Sequence, residues 1–97
     1  MNNKIKTAGG IVLKSDKILF IYKRGRWDLP KGKVEEGASS RKTAKIEISE
    51  ETGLPKNQLK ILKKLIPTHY HKTVDGEVVV KKTEWFLIIF QGDEGTP

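Results

Sequence analysis

Hydrophobic and polar positions alternate in two different periods along the chain. From Ile5 to Leu13 the residues Ile5, Thr7 and Ile11-Val12-Leu13 predict a strand, and Gly9-Gly10 inside it predicts a bulge or a close backbone approach. Ser15-Asp16 separates this run from Ile18 to Tyr22, which reads as the returning strand of a hairpin. A basic turn, Lys23-Arg24-Gly25-Arg26, leads into Trp27-Asp28-Leu29-Pro30-Lys31-Gly32, where proline and glycine predict an ordered loop without regular structure. The period then changes. Ala44, Ile48 and Thr52 recur at helical spacing, Ser39 or Ser40 can cap the start, and Gly53-Leu54 supplies a left-handed stop, so Ser39 to Thr52 is the one predicted helix. After Pro55 the pattern is β-like again. Leu59 to Ile66 and His69 to Val74 form an extended arm, Asp75-Gly76 is a hairpin signal, and Glu77 to Phe90 returns. The polar tail Gln91 to Pro97 is predicted to be loose.

Strand, strand, loop, helix and two long strands, in that order, predict an α+β domain around a mixed or mostly antiparallel sheet. The 97 residues fit a single domain over 1–97, with a thin core because 36% of the residues are hydrophobic. Trp85 and Phe86 are expected in that core. The chain has no cysteine, which excludes a disulfide framework, a thiolate zinc site and a cysteine nucleophile. Its longest apolar run, Trp85 to Phe90, is far short of the ~20 residues that span a bilayer, and Met1-Asn2-Asn3-Lys4 lacks the apolar stretch of a secretory signal. A cytoplasmic protein without a membrane partner is the expectation. Nineteen Lys and Arg against 12 Asp and Glu leave a net charge of +7, which favours phosphate-rich ligands or nucleic acid. A lysine-rich solvated surface would show the same charge, so the surplus suggests a partner class and names none.

The candidate chemistry lies on the predicted helix. Glu47, Glu50 and Glu51 stand three and four residues apart, which places the carboxylates on one side where they repel one another. A divalent cation would offset that repulsion, and an all-oxygen set that leaves room for water suits Mg²⁺ or Mn²⁺. Taken alone, the cluster reads more simply as a solvated acidic face paired with lysines. Its context is what changes the reading: Pro30-Lys31-Gly32-Lys33 upstream offers backbone amides and two lysines that can cradle phosphates, and Gly53 closes the helix downstream.

The stretch from Gly32 through Glu47-Ile48-Ser49-Glu50-Glu51-Thr52-Gly53-Leu54 resembles the Nudix box, G-x5-E-x7-R-E-U-x-E-E-x-G-U with U aliphatic. Gly32, Glu47, Ile48, Glu50, Glu51, Gly53 and Leu54 match in register over residues 32–54. The leader Trp27 to Gly32, the opening Ala8 to Val12 and the late Lys82 to Phe86 are also similar to family segments. The resemblance implies a Nudix-type α/β/α sandwich around a mixed sheet, here shortened at its carboxy-terminal strand and helix. It implies Mg²⁺-dependent (or Mn²⁺-dependent) hydrolysis of a pyrophosphate linkage in a nucleoside diphosphate derivative, of the nucleoside triphosphate or dinucleoside polyphosphate class. Glu47, Glu50 and Glu51 would bind the metal, with a backbone carbonyl at Lys31 or Gly32 completing the set. Glu50 or Glu51 would activate the water. Lys31, Lys33, Arg24 and Arg26 would contact the phosphates.

Two box positions depart from the pattern: Ala38 replaces the first glutamate and Ile46 the arginine. An apolar Ala38–Ile46 contact in place of an ion pair, and weakened catalysis, are the corresponding expectations. Asp93 or Glu94 would stand in for the extra glutamate that many members take from a later loop. The competing reading is a domain without useful turnover that binds nucleotide or RNA through its basic surface. Tyr22, Trp27 and Tyr70 are aromatic candidates for a nucleobase, although packing is the commoner role of such residues. His69 and His71 share one face of a strand and read as surface residues. A sheet face left uncovered would favour a homodimer.

Overall fold

The computed structural model describes residues 4–92. Two long strands form its spine. β1 (Lys4–Lys14) and β8 (Glu77–Phe90) run parallel over ten paired positions, from Lys4 beside Val80 to Leu13 beside Ile89. Every other pairing is antiparallel. β2 (Lys17–Ile18) and β5 (Lys31–Lys33) add to the free side of β1, and β6 (Leu59–Lys64) and β7 (Thr68–Val74) add to the free side of β8. β3 (Ile21–Lys23) and β4 (Arg26–Asp28) make a separate two-stranded ribbon. The expected mixed sheet is therefore present.

Helix α1 (Ser40–Thr52) is built as its sequence dictates. The Ser39 hydroxyl accepts from the Lys42 amide, and Gly53, at φ 81°, ends the helix by donating its N–H to the Ser49 carbonyl. Thr43, Ala44 and Ile48 form its buried stripe. That stripe lies on the sheet face carrying Ala8, Val12, Phe86, Ile88 and Phe90, and together they form the core with Leu59. Gly10 lets helix and sheet approach: a β-carbon there would stand 2.9 Å from the Ile48 side chain and 2.8 Å from that of Ile88. The Gly9-Gly10 pair thus serves close approach, and β1 passes through it unbroken.

Four sequence expectations need correction. Trp85 is not in the core: it is half-buried on the sheet face away from α1, where its indole N–H donates to Thr68 Oγ1 at 2.9 Å. The run Ile18 to Tyr22 is not one strand: it splits after Ile18, and its second half pairs with β4 in the ribbon, turned by Arg24 and Gly25 with φ 53° and 78°. The segment Trp27 to Gly32 is not an irregular loop, because its flanks become β4 and β5. Gln91 and Gly92 are not loose. Gln91 donates its N–H to the Gln58 carbonyl at 2.7 Å, and the Lys14 ammonium donates to the Gly92 carbonyl. Asp93, Glu94 and the rest of the tail lie outside the described residues. The Asp75-Gly76 turn is as expected, with φ 52° and 80° joining β7 to β8.

Among the described residues α1 is the sole α-helix and covers one face of the sheet. On the other face Thr7 and Thr83 hydroxyls hydrogen-bond at 2.6 Å, and Ile11, Leu87 and Ile89 are half-buried. No helix of the described residues is long and apolar enough to cross a membrane.

Candidate active site

β5 brings the helix carboxylates and the basic residues together. It lies beside β1 with Gly32 opposite Ala8, under the last turns of α1. Glu47 rests against it: a β-carbon on Gly32 would overlap the Glu47 carboxylate, so the glycine makes the cradle in which that carboxylate sits. One turn further along α1, Glu51 accepts the Lys31 backbone N–H at 3.0 Å and meets the Lys23 ammonium, from the ribbon, at 2.5 Å. Glu50 is exposed.

Burial raises the pKa of Glu47 above the ordinary carboxylate value, the negative charges of Glu50 and Glu51 raise it further, and Lys23 opposes them. The three carboxylates therefore feel one another as their spacing predicted. They do not form a ready cage, however: among the described residues no three acidic or imidazole side chains are gathered closely enough to hold a metal ion. Lys23 and the Lys31 amide hold Glu51, and Glu50 faces solvent.

Beside these carboxylates opens a cleft of about 640 Å³. Glu51 and Gly32 lie at one end, with Lys31 and Lys33 of β5 and Lys23, Arg24 and Arg26 of the ribbon around them. Lys72 and Lys81, from β7 and β8, wall the other end, and Ile5, Thr7 and Val79 contribute to the lining. Asp28 also lines it. Its carboxylate accepts from Lys31 Nζ at 2.7 Å and from the Leu29 amide at 2.8 Å, and the Lys31 hydrogen bond, against the cost of burial, holds its pKa below the usual range.

The structure thus gathers Glu51, Gly32, Lys31, Lys33, Arg24 and Arg26 in one cleft, whereas Glu47, which meets Gly32 from the helix side, and the exposed Glu50 are outside its lining. The proposed backbone cradle does not form, because the Lys31 amide is taken by Glu51 and residues 31–33 pair with β1. Their lysine side chains are what face the cleft. Tyr70 lies on the same sheet face as Lys72 and Lys81, yet it is 58% exposed and outside the cleft lining. Tyr22 and Trp27 do not pack into the fold. They are 59% and 70% exposed and meet edge-to-face at 5.0 Å on the outer side of the ribbon. His69 and His71 are exposed, as expected. Lys23, Asp28, Lys72 and Lys81 were not singled out by the sequence. Lys23 and Asp28 were legible only through the ribbon register, and the two arm lysines only through the curl of the sheet.

Comparison with known proteins fits this arrangement. The NUDIX domain family matches residues 4–97. This chain belongs to the Nudix hydrolase family. A curated Mycobacterium tuberculosis (strain CDC 1551 / Oshkosh) protein bearing the name MutT4 is 38% identical over 76 residues. The match takes in 76% of this chain and 29% of that protein, so the chain spans under a third of the relative's length. The crystal structure of the C. elegans Ap4A hydrolase superposes with a TM-score of 0.68 at 24% identity, over 93% of this chain and 70% of that one. A Nudix hydrolase from M. smegmatis, RenU, gives a TM-score of 0.65 at 16% identity, over 90% and 61% of the two chains. These likenesses establish the fold.

Nudix enzymes generally use divalent metal ions. The residues of this Nudix domain fit such an ion chemically: Glu47 is an oxygen donor half-buried in a glycine cradle and repelled by two neighbouring carboxylates. The two departures from the Nudix box both lie at the surface. Ala38 is exposed and precedes the helix, which starts at Ser40, while Ile46 is 39% exposed and outside the core. Neither residue therefore joins the core.

Proposed function

We propose that this domain hydrolyses a pyrophosphate linkage in a nucleoside diphosphate derivative, with a nucleoside triphosphate or a dinucleoside polyphosphate as substrate. The observation that carries the reading is that Glu51, which shares α1 and β5 with Glu47, lines a cleft with seven cationic side chains. The names of the relatives, a C. elegans Ap4A hydrolase and a mycobacterial MutT4, point to the same chemical class.

Glu47, Glu50 and Glu51 would hold Mg²⁺ or Mn²⁺, with a backbone carbonyl of Lys31 or Gly32. A bound divalent ion supplies Lewis-acid stabilisation of charge on the phosphate oxygens and acidifies a coordinated water. The chain's own residues do the rest. Lys31, Lys33, Arg24 and Arg26 bind and orient the phosphates, because charge-assisted hydrogen bonds are strong and the cleft concentrates anions. Glu50 or Glu51 accepts the proton of the attacking water. Lys23 balances Glu51 in the free protein, and the Lys31 amide fixes that carboxylate against β5.

A second reading has its own support. Lys23 occupies Glu51 and no three carboxylates converge among the described residues, which is what a nucleotide- or RNA-binding domain without turnover would show. For a homodimer, the half-buried Ile11, Leu87 and Ile89 on the far face of the sheet are the available surface. Product release from a panel of nucleoside triphosphates, dinucleoside polyphosphates and nucleotide sugars, with Mg²⁺ and with chelator, separates hydrolase from binder. Metal-dependent release is expected. Binding without release in Mg²⁺ and Mn²⁺ would establish the second reading.

A further inference from the structure

The arm made by β7 and the stretch of β8 paired with it, residues 77–83, has no part in the hydrophobic core. Every residue of β7 is exposed, and among the described residues the strand is held by its pairing with β8 and by the Trp85 indole N–H, which donates to Thr68 Oγ1 at 2.9 Å. Yet the arm walls the cleft, and it does so with lysines. Tyr70, Lys72, Val79 and Lys81 fall on one face of the arm, since Tyr70 pairs with Lys81, Lys72 pairs with Val79, and strand side chains alternate. Lys33 shares that face across the sheet, beside Thr7 and Thr83.

The charges in the cleft do not balance. Lys23 pairs with Glu51 and Lys31 with Asp28. Arg24, Arg26, Lys33, Lys72 and Lys81 form no ion pair among the described residues. Like charges facing one cleft repel, and nothing in the packing of the arm requires a lysine at either position. The cations of the cleft, paired and unpaired, are also spread out along the sheet. Lys31 stands level with Gly9 and Trp85, and Lys72 pairs with Val79, six residues back along β8. That separation is about 20 Å at ~3.3 Å per residue.

We propose that Lys72 and Lys81 extend the cleft into an anion track that selects linear phosphate chains longer than a triphosphate. The inference rests on the phosphate-binding reading of the cleft given above. Each further phosphate adds negative charge and length together, which matches cations laid out in a line and not gathered at one point. Lys31 and Lys33 hold the phosphates nearest the carboxylates, and the arm lysines take the distal part of the chain.

Calorimetric binding in chelator tests this independently of turnover, so failure of the track and failure of the hydrolase reading remain distinguishable. The probes are linear tripolyphosphate, a linear hexaphosphate, a dinucleoside hexaphosphate and an oligouridylate of equal charge. The hexaphosphate is expected to bind at least ~10-fold tighter than the tripolyphosphate. In Lys72→Gln/Lys81→Gln that advantage should vanish while tripolyphosphate affinity stays within about 2-fold. The control Lys60→Gln/Lys63→Gln, on exposed positions of β6, should change neither. Tighter binding of the dinucleoside form names a nucleoside-capped chain as the ligand, and equal binding names the bare chain. Equal affinity for both chain lengths, an equal loss in the control, or oligouridylate binding as tightly as the hexaphosphate would overturn the proposal. Unchanged thermal midpoints confirm that the variants fold.

Discussion

Single carboxylates in this domain have opposite electrostatic fates. Glu47 is pushed up by burial and by Glu50 and Glu51, so in the metal-free protein its charged form is destabilising at neutral pH. Glu47→Gln removes two like-charge pairs on the helix, at spacings where each costs ~0.2–0.5 kcal/mol, and should raise the thermal midpoint in chelator. A lowered midpoint there would contradict the crowded-carboxylate account. Glu84 behaves the other way. It is 4% exposed, and although burial would raise its pKa, the Lys64 hydrogen bond and the charges of Lys64, Lys82 and Lys6 hold it below the ordinary value. Its contribution is therefore present above the unfolded carboxylate pKa and is lost as pH falls through the lower folded one. A thermal-midpoint profile should decline in that acid window, and Glu84→Gln should flatten it. One oxygen of Glu84 has no hydrogen-bond partner, so the pair with Lys64 at 3.2 Å carries most of what the group contributes. Gly32 belongs at this scale too. Gly32→Ala would drive a methyl into the Glu47 carboxylate, and metal-dependent turnover should fall at least ~10-fold with little change in nucleotide affinity.

At the level of elements, helix α1 was the most legible part of the chain. Its cap, its buried Ala44 and Ile48 and its glycine stop are local signals, each written within a turn of where it acts. Ile48 is fully buried against Gly10 and Ile88, so Ile48→Ala should cost ~2–5 kcal/mol in denaturant unfolding. The β-rich first half was harder to read. Ile18 to Tyr22 looks continuous, but whether it stays in one sheet depends on pairing with Trp27 and Asp28 further along. Leu29-Pro30 reads as loop, yet three residues after it pair with β1 because Gly9 and Gly32 allow two strands and a carboxylate to crowd together. The parallel pairing of β1 with β8 joins residues more than 70 positions apart, and no local pattern encodes it. The exposed Tyr22 and Trp27 show the same limit: aromatic character predicted packing, and ribbon register turned the pair outward.

For the whole molecule, the +7 charge acquires a location. Sequence alone placed Lys31, Lys33, Arg24 and Arg26 near the helix glutamates through proximity in the chain, and the fold adds Lys72 and Lys81 from across the sheet. Binding of phosphate chains should accordingly weaken steeply with salt, because opposed charges at a solvent-open cleft are screened within a Debye length of ~10 Å at 0.1 M. The carboxylates over β5 are proposed to perform metal-dependent hydrolysis. The most direct test is steady-state turnover of the best substrate in Mg²⁺ by the wild type, Glu47→Gln and Glu51→Gln, with circular dichroism confirming the fold. A loss of ~100-fold or more is expected in each variant, beyond the ~10–100-fold that loss of a merely supporting residue costs. Turnover retained in both folded variants would contradict it and move the chemistry away from α1.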